Sequence, residues 1–110
     1  MKKQISISKT GKYSQIGKSS KKINNVWIVL HGYGMLSEYF VKKFECIIDE
    51  TTLVIAPEAT NRFYLANNYT RVGASWMTKL DREQEISDNI LFLDKLLSLI
   101  HISEPTRPSS

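Results

Sequence analysis

A run of five apolar residues, Val-Trp-Ile-Val-Leu at positions 26–30, limits the possible folds of this chain more than any other feature. The run does not alternate with polar residues and is rich in β-branched side chains, which is typical of a strand buried on both faces. It therefore predicts a parallel strand covered by helices. The same pattern recurs at residues 52–55, where Pro57 is expected to stop the strand.

The segment between these strands has the order of a β-loop-α-β unit. The first strand leads into His-Gly-Tyr-Gly at residues 31–34, and Ser37 then opens a segment with helical apolar spacing at Phe40, Phe44, Ile47 and Ile48. A right-handed crossover is expected between parallel strands joined in this way. The fold class is therefore predicted to be α/β.

Three further segments complete the predicted layout. Residues 4–8 and 13–17 alternate apolar and polar side chains around Gly11, which predicts an antiparallel hairpin. Residues 58–77 are irregular and aromatic, which predicts a long functional loop. Asp81 and Gln84 predict a capped helix start, and the apolar face of that helix is marked by Ile86, Ile90, Leu93 and Leu97.

The charge of the chain is concentrated near its start. The 110 residues are enough for one small domain and carry a net charge of +4, with no Asp or Glu before Asn24. Seven lysines lie there: Lys2, Lys3, Lys9, Lys12, Lys18, Lys21 and Lys22. This leaves open a small basic module that binds nucleic acid or an anionic membrane surface. Because the lysines alternate with apolar residues, a solvated strand face is favoured, and we predict neither a nucleic-acid partner nor membrane insertion.

Cys46 is the single cysteine, so a disulfide framework and a cysteine metal cluster are both excluded. We expect no metal and no cofactor. The chain shows neither the apolar core of a signal peptide nor a run long enough to cross a bilayer, which predicts a cytoplasmic location.

The glycine loop at residues 31–34 is the segment best suited to chemistry. Ester hydrolysis needs backbone N–H groups fixed around the oxygen that becomes negative in the tetrahedral intermediate. Gly32 and Gly34 allow the backbone to approach a ligand closely, between a strand and a helix that hold the loop. A tight strand-to-helix turn without chemistry is the alternative interpretation.

Several segments together resemble the phospholipase/carboxylesterase branch of the α/β hydrolases. The resemblance covers about residues 23–96 and rests on residues 26–34, the helix with Phe40 and Phe44, and the sequences Val-Ile-Ala-Pro-Glu (54–58), Arg-Phe-Tyr (62–64) and Gly-Ala-Ser-Trp-Met (73–77) followed by Asp-Arg-Glu (81–83). It implies the N-terminal part of an α/β-hydrolase fold, with a hairpin and parallel strands covered by helices, in an incomplete sheet.

The resemblance also implies roles for individual residues. The backbone N–H of Tyr33 would be one oxyanion donor, with Gly32 and Gly34 shaping the loop, and the second donor would follow the catalytic serine. Trp76 would line the substrate cleft, although a packed aromatic is an equal alternative. His31 would brace the loop, because the catalytic histidine of this fold comes after the last strands.

Two other residues can be mistaken for nucleophiles. Ser75 lies in Gly-Ala-Ser-Trp-Met, which lacks the second glycine of a nucleophile elbow, and residues 71–72 do not predict the buried strand that must precede one. Cys46 has no histidine near it in sequence. The catalytic serine, acid and histidine are therefore predicted to be missing.

The end of the chain departs from the family. Residues 97–107 resemble a translated adapter sequence from DNA library preparation, so residues 1–96 are interpreted as the hydrolase portion and 97–110 as a non-native or disordered tail. In this fold the nucleophile strand lies beside residues 26–30, and without it the chain would expose an apolar sheet edge and could self-associate.

The functional hypothesis is a truncated serine hydrolase. Its full-length parent would cleave carboxylic esters, thioesters or lysophospholipids by a Ser-His-Asp mechanism, with a small ester as substrate, and the fragment itself would be inactive. The basic binding module is the alternative, and a purely structural fragment is the third hypothesis.

Overall fold

The computed structural model describes residues 1–19, 21–65 and 69–103, with the side chains described up to residue 100. The strands are β1 (Lys12–Ile16), β2 (Asn25–Ile28), β3 (Thr52–Glu58), β4 (Asn61–Tyr64) and β5 (Val72–Ser75). The helices are α1 (Ser37–Phe40), which continues as a 3₁₀ helix (Val41–Ile47), and α2 (Arg82–Ser103).

A three-stranded sheet with the order β1-β3-β2 forms the centre of the fold. Strand β3 pairs parallel with β2, with Val26 opposite Leu53, and antiparallel with β1, with Ser14 opposite Ala56. All seven residues of β3 are buried, which confirms the buried strand predicted at residues 52–55. A second, two-stranded sheet joins β4 and β5 antiparallel.

Apolar clusters cover both faces of the central sheet. On one face Leu53 and Ile55 pack with Leu96 and Ile100 of α2. On the other face Val54 and Ala56 pack with Val41 of the 3₁₀ helix. The mixed sheet between helical segments agrees with the predicted α/β class in its general form.

The predicted hairpin of residues 4–8 and 13–17 is wrong. Residues 1–11 form no strand, and the partner of β1 is β3. Alternation predicts that a segment is a strand, but it does not predict which strand it pairs with. Strand β1 pairs with the buried strand β3 and not with the exposed residues 4–8 that precede it.

Two features of the predicted buried strands also differ. Strand β2 is an edge strand whose Trp27 is 54% exposed, so residues 26–30 are not buried on both faces. Pro57 does not stop β3, which continues to Glu58. The Val29 N–H donates to the Ile55 carbonyl, so the backbone groups of residues 55 and 57 both point toward β2. Strand β2 ends at Ile28, before it reaches the position opposite Pro57. The missing N–H of proline therefore costs no ladder hydrogen bond there.

The segment at residues 58–77 is more regular than predicted. It contains β4 and β5, and their pairing places Phe63 opposite Gly73. Both strands are short and carry few β-branched residues, so their period-2 pattern was too weak to outweigh the loop prediction.

The predicted start of α1 is displaced by one residue, whereas Asp81 directly precedes α2 as predicted. Ser37 is the first residue of α1 rather than its cap, and Leu36 occupies the cap position. Asp81 precedes α2 with a φ of 56°, in the left-handed region, and its carbonyl accepts from the Glu85 N–H at 3.0 Å.

The buried face of α2 is rotated from the predicted one. Leu96 is 4% exposed and Ile100 9%, whereas Ile90 is 53% exposed and Leu97 44%. The apolar residues of α2 lie on several sides of the helix, so the spacing of its apolar residues alone does not identify the face that packs on the sheet. The helix continues to Ser103, which places the first seven residues of the predicted tail in regular structure; residues 104–110 lie outside the described residues.

Candidate functional site

The loop at residues 31–34 lies where β2 ends and is tied to the second sheet. Gly34 has a φ of 78°, a conformation that glycine adopts without strain. The Gly34 N–H donates to the Ala74 carbonyl at 2.9 Å, and the Ala74 N–H donates to the Met35 carbonyl at 3.0 Å. These two bonds attach the loop to β5 as if it were a further strand.

Gly73 determines how closely the loop approaches β5. A Cβ atom at Gly73 would lie 2.4 Å from the Gly34 carbonyl oxygen and 2.8 Å from the Gly34 Cα. These atoms belong to the backbone and cannot move away as a side chain could. The two segments therefore meet at this distance only because residue 73 has no side chain.

The amides of the three loop residues after His31 differ in their partners. The Gly32 N–H faces the Met35 sulfur at 3.3 Å, and the Gly34 N–H bonds to Ala74. The Tyr33 N–H has no hydrogen-bond partner within the described residues. The Tyr33 side chain is 73% exposed, and its ring lies 5.0 Å from that of Phe63. An amide without a protein partner is a donor that an oxygen atom of a ligand could use.

His31 is buried under the loop with both ring nitrogens in hydrogen bonds. The Ala59 N–H donates to Nε2 at 3.0 Å, so the proton of the neutral ring is on Nδ1, which donates to the Gly32 carbonyl at 2.8 Å. His31 thus connects the loop to the segment that follows β3. These contacts are the kind that the predicted bracing role requires.

Trp76 packs against His31. The two rings are stacked 5.2 Å apart, and the indole Nε1–H donates to the His31 carbonyl at 3.0 Å. The Trp76 carbonyl in turn accepts from the Asn89 amide of α2 at 2.8 Å. The packed-aromatic interpretation accounts for all of these contacts, and the cleft-lining role of Trp76 stays a prediction.

Ser75 is not arranged as a nucleophile. The sequence predicts no strand leading to it, whereas the structure places it as the last residue of β5, in the small antiparallel sheet rather than at the end of a parallel strand. Ser75 is 3% exposed, and its hydroxyl donates to the Met77 carbonyl at 2.9 Å. Among the described non-glycine residues only Tyr69 and Asp81 have positive φ, so Ser75 lacks the strained turn of an elbow.

A buried carboxylate that the sequence analysis did not single out lies near the loop. The Ser37 N–H and hydroxyl donate to one oxygen of Glu58, at 3.2 and 3.3 Å. The Arg62 guanidinium donates to the other oxygen through Nε, at 3.1 Å, and through Nη2. Spacing of four residues between Glu58 and Arg62 was the available signal, but it is normally a helical one.

The surroundings of Glu58 act on its pKa in opposite directions. Burial of the carboxyl raises its pKa, while the hydrogen bonds from Arg62 and Ser37 and the positive charge of Arg62 lower it. The net effect is a pKa below the usual value, so the group is charged at neutral pH. It joins the end of β3 to α1 and β4, beside an open groove of about 370 Å³.

The remaining predicted groups lie apart from the loop. Lys9 donates to the Thr60 carbonyl, and Lys22 forms an ion pair with Glu50 at 3.5 Å. Cys46 is an exposed free thiol on the 3₁₀ helix. No cluster of three potential metal ligands occurs among the described residues, and no helix there has the length and apolar character needed to span a membrane.

No protein-family model, no curated protein and no solved structure matches the chain.

Proposed function

We propose that the chain provides the oxyanion-binding part of a serine hydrolase of the phospholipase/carboxylesterase type, whose complete form hydrolyses carboxylic esters. The observation that carries the proposal is the Tyr33 N–H, an amide without a partner among the described residues, in a loop where the Gly32 and Gly34 amides on either side of it are occupied. Donors fixed in this way stabilise the negative oxygen of a tetrahedral intermediate without reorganising during the reaction.

The rigidity of the loop supports the same proposal. His31 holds the Gly32 carbonyl and the Ala59 N–H, and Trp76 holds the His31 carbonyl. Gly34 is bonded to Ala74 from the other side. The Tyr33 amide is thus fixed from both flanks, and a preorganised donor contributes more to catalysis than a mobile one.

The position of β2 is also consistent with the proposal. The family resemblance predicts that the strand carrying the nucleophile pairs beside residues 26–30, and β2 is an edge strand on that side. A serine at the end of such a strand would lie close to the loop that begins where β2 ends. Its following N–H would supply the second donor.

In this proposal His31 is a positioning residue and takes no part in proton transfer. Its Nε2 accepts from Ala59 and its Nδ1 donates to Gly32, so neither nitrogen is available to a serine hydroxyl. We therefore expect the 110-residue chain to hydrolyse no ester above the rate in buffer. A phosphonate ester that labels activated serines should leave Ser14, Ser37 and Ser75 unmodified by mass spectrometry.

The experiment that tests the donor requires the protein encoded by the gene when it is sequenced in frame past Leu96. In that protein, semisynthesis replaces the Tyr33 amide by an ester, which removes the N–H and keeps the side chain. Loss of one oxyanion donor should lower kcat by about 10² to 10³ with little change in KM. Tyr33→Phe keeps the N–H and the ring and serves as the matched control. Equal kcat values in the two variants would exclude Tyr33 as the donor.

A further inference from the structure

The outer edge of β2 has backbone groups that the fold leaves without partners. The Asn25 N–H donates to the Thr51 carbonyl and the Val29 N–H donates to the Ile55 carbonyl, so residues 25, 27 and 29 direct their backbone toward β3. Val26 and Ile28 alternate with them and direct their N–H and C=O groups outward. Within the described residues no strand pairs with this edge.

This edge has few of the features that prevent strands from pairing. Natural edge strands are protected by lysine, proline or a bulge, and β2 has the sequence Asn-Val-Trp-Ile with none of these. The short length of β2 is the one feature of this kind that limits its pairing with another strand. Trp27 is 54% exposed and Leu30, just beyond the strand, is 51% exposed. The opposite edge of the sheet, β1, begins with Lys12.

We propose that two copies of this chain pair antiparallel through β2, about a two-fold axis at Trp27. In this register Val26 of each copy lies opposite Ile28 of the other, and the outward N–H and C=O groups of both residues exchange hydrogen bonds. Trp27 then lies opposite Trp27 in a non-hydrogen-bonded pair, where side chains approach most closely. The two three-stranded sheets become one six-stranded sheet. The pairing concerns the 110-residue chain, because the proposed function assigns the same edge of β2 to a further strand in the complete hydrolase.

The charge distribution favours a second copy in this orientation. Lys21 and Lys22 precede β2, whereas residues 23–37 contain no Asp, Glu, Lys or Arg. Antiparallel pairing about Trp27 places Lys22 opposite Gly32 of the other copy, so the lysines of each copy face an uncharged segment. Parallel pairing would place the lysines of the two copies side by side, where like charges repel.

The aromatic pair adds to the hydrogen bonds. Cross-strand aromatic pairs in antiparallel sheets stabilise the pairing beyond its backbone hydrogen bonds. Because each copy uses the same surface, the interface closes on itself as a dimer and does not propagate into a fibre.

The test combines the association state with a site-specific cross-link. Sedimentation of the unmodified chain across the micromolar range should show a monomer–dimer equilibrium, and Trp27→Lys should shift it to monomer. The matched control is Tyr39→Lys on α1, where the aromatic side chain is 62% exposed but lies away from β2. It should leave the equilibrium unchanged.

The cross-link is made in a Cys46→Ser background, because Cys46 is exposed and could react. Trp27→Cys should then form a disulfide-linked dimer on mild oxidation, since opposed residues of this pair type lie within disulfide reach. Tyr39→Cys should not. A chain that stays monomeric throughout, or a dimer in which Trp27→Cys cross-links no better than Tyr39→Cys, would overturn the proposal.

Discussion

Gly73 and Gly34 meet backbone to backbone, and the position of the candidate oxyanion loop depends on this contact. The sequence predicted that Gly32 and Gly34 shape the backbone of the loop, and the positive φ of Gly34 agrees with that prediction. It could not predict Gly73, because its constraint comes from a contact with a distant segment.

We predict that Gly73→Ala destabilises the fold by about 1 to 3 kcal/mol, the usual cost of overpacking a tight contact. The added Cβ would lie 2.4 Å from the Gly34 oxygen, so the loop or β5 must shift. Gly32→Ala is the control, because a Cβ there meets only the Met35 sulfur, at 3.5 Å. Urea unfolding measures both variants, and equal midpoints would show that the contact carries no such constraint.

At the level of elements, the two hydrophobic strand segments and the helix that joins them were predictable, because they have strong local patterns. The pairing of β1 with β3 and the β4–β5 hairpin were not, since they depend on distant partners or on short strands with weak alternation. The inner face of α2 was predicted only in part, because the apolar residues of that helix extend around most of its circumference: Ile86 and Leu93 are half-buried, but Ile90 and Leu97 are exposed.

The orientation of α2 predicts different effects for substitutions at Leu96 and Ile90. Leu96→Ala should lower the free energy of unfolding by about 2 to 5 kcal/mol, because Leu96 is 4% exposed and packs against Leu53 and Ile55. Ile90→Ala should change it by less than about 1 kcal/mol, since Ile90 is 53% exposed. Thermal or urea unfolding followed by circular dichroism would distinguish them, and the reverse ranking would mean that α2 packs through the face first predicted from the sequence.

Glu58 connects three elements and makes the stability depend on pH. Its pKa in the folded chain lies below the usual 4.5, so its contribution is fully present above pH 4.5 and is lost as the pH falls through the folded pKa. Glu58→Gln should therefore reduce stability at neutral pH and flatten the acid side of the stability profile. Glu38→Gln, an exposed neighbour in the same groove, is the control and should leave the profile unchanged. A profile for Glu58→Gln that is parallel to that of the unmodified chain would contradict this role.

At the scale of the whole molecule, the central sheet ends in an edge strand where the hydrolase interpretation expects another strand. The sequence predicted this open edge through the family resemblance and the missing nucleophile, but it did not predict the half-exposed Trp27 on that edge. The sequence singled out the loop, His31 and Trp76, but it predicted a cleft-lining role for Trp76, and the packing of Trp76 against His31 was only the alternative. The Glu58–Arg62 contact could not be predicted, because it depends on the distance between two elements.

The most direct test of the hydrolase interpretation is to sequence independently prepared source DNA across the codons for Leu96 and Leu97 and onward in frame. We predict that a buried strand ending in Gly-x-Ser-x-Gly follows soon after Leu96, at the position where it can pair with β2 and place its serine beside Tyr33. If the codons for residues 97–110 and a stop codon are present instead, the assignment of the loop to a serine hydrolase is contradicted.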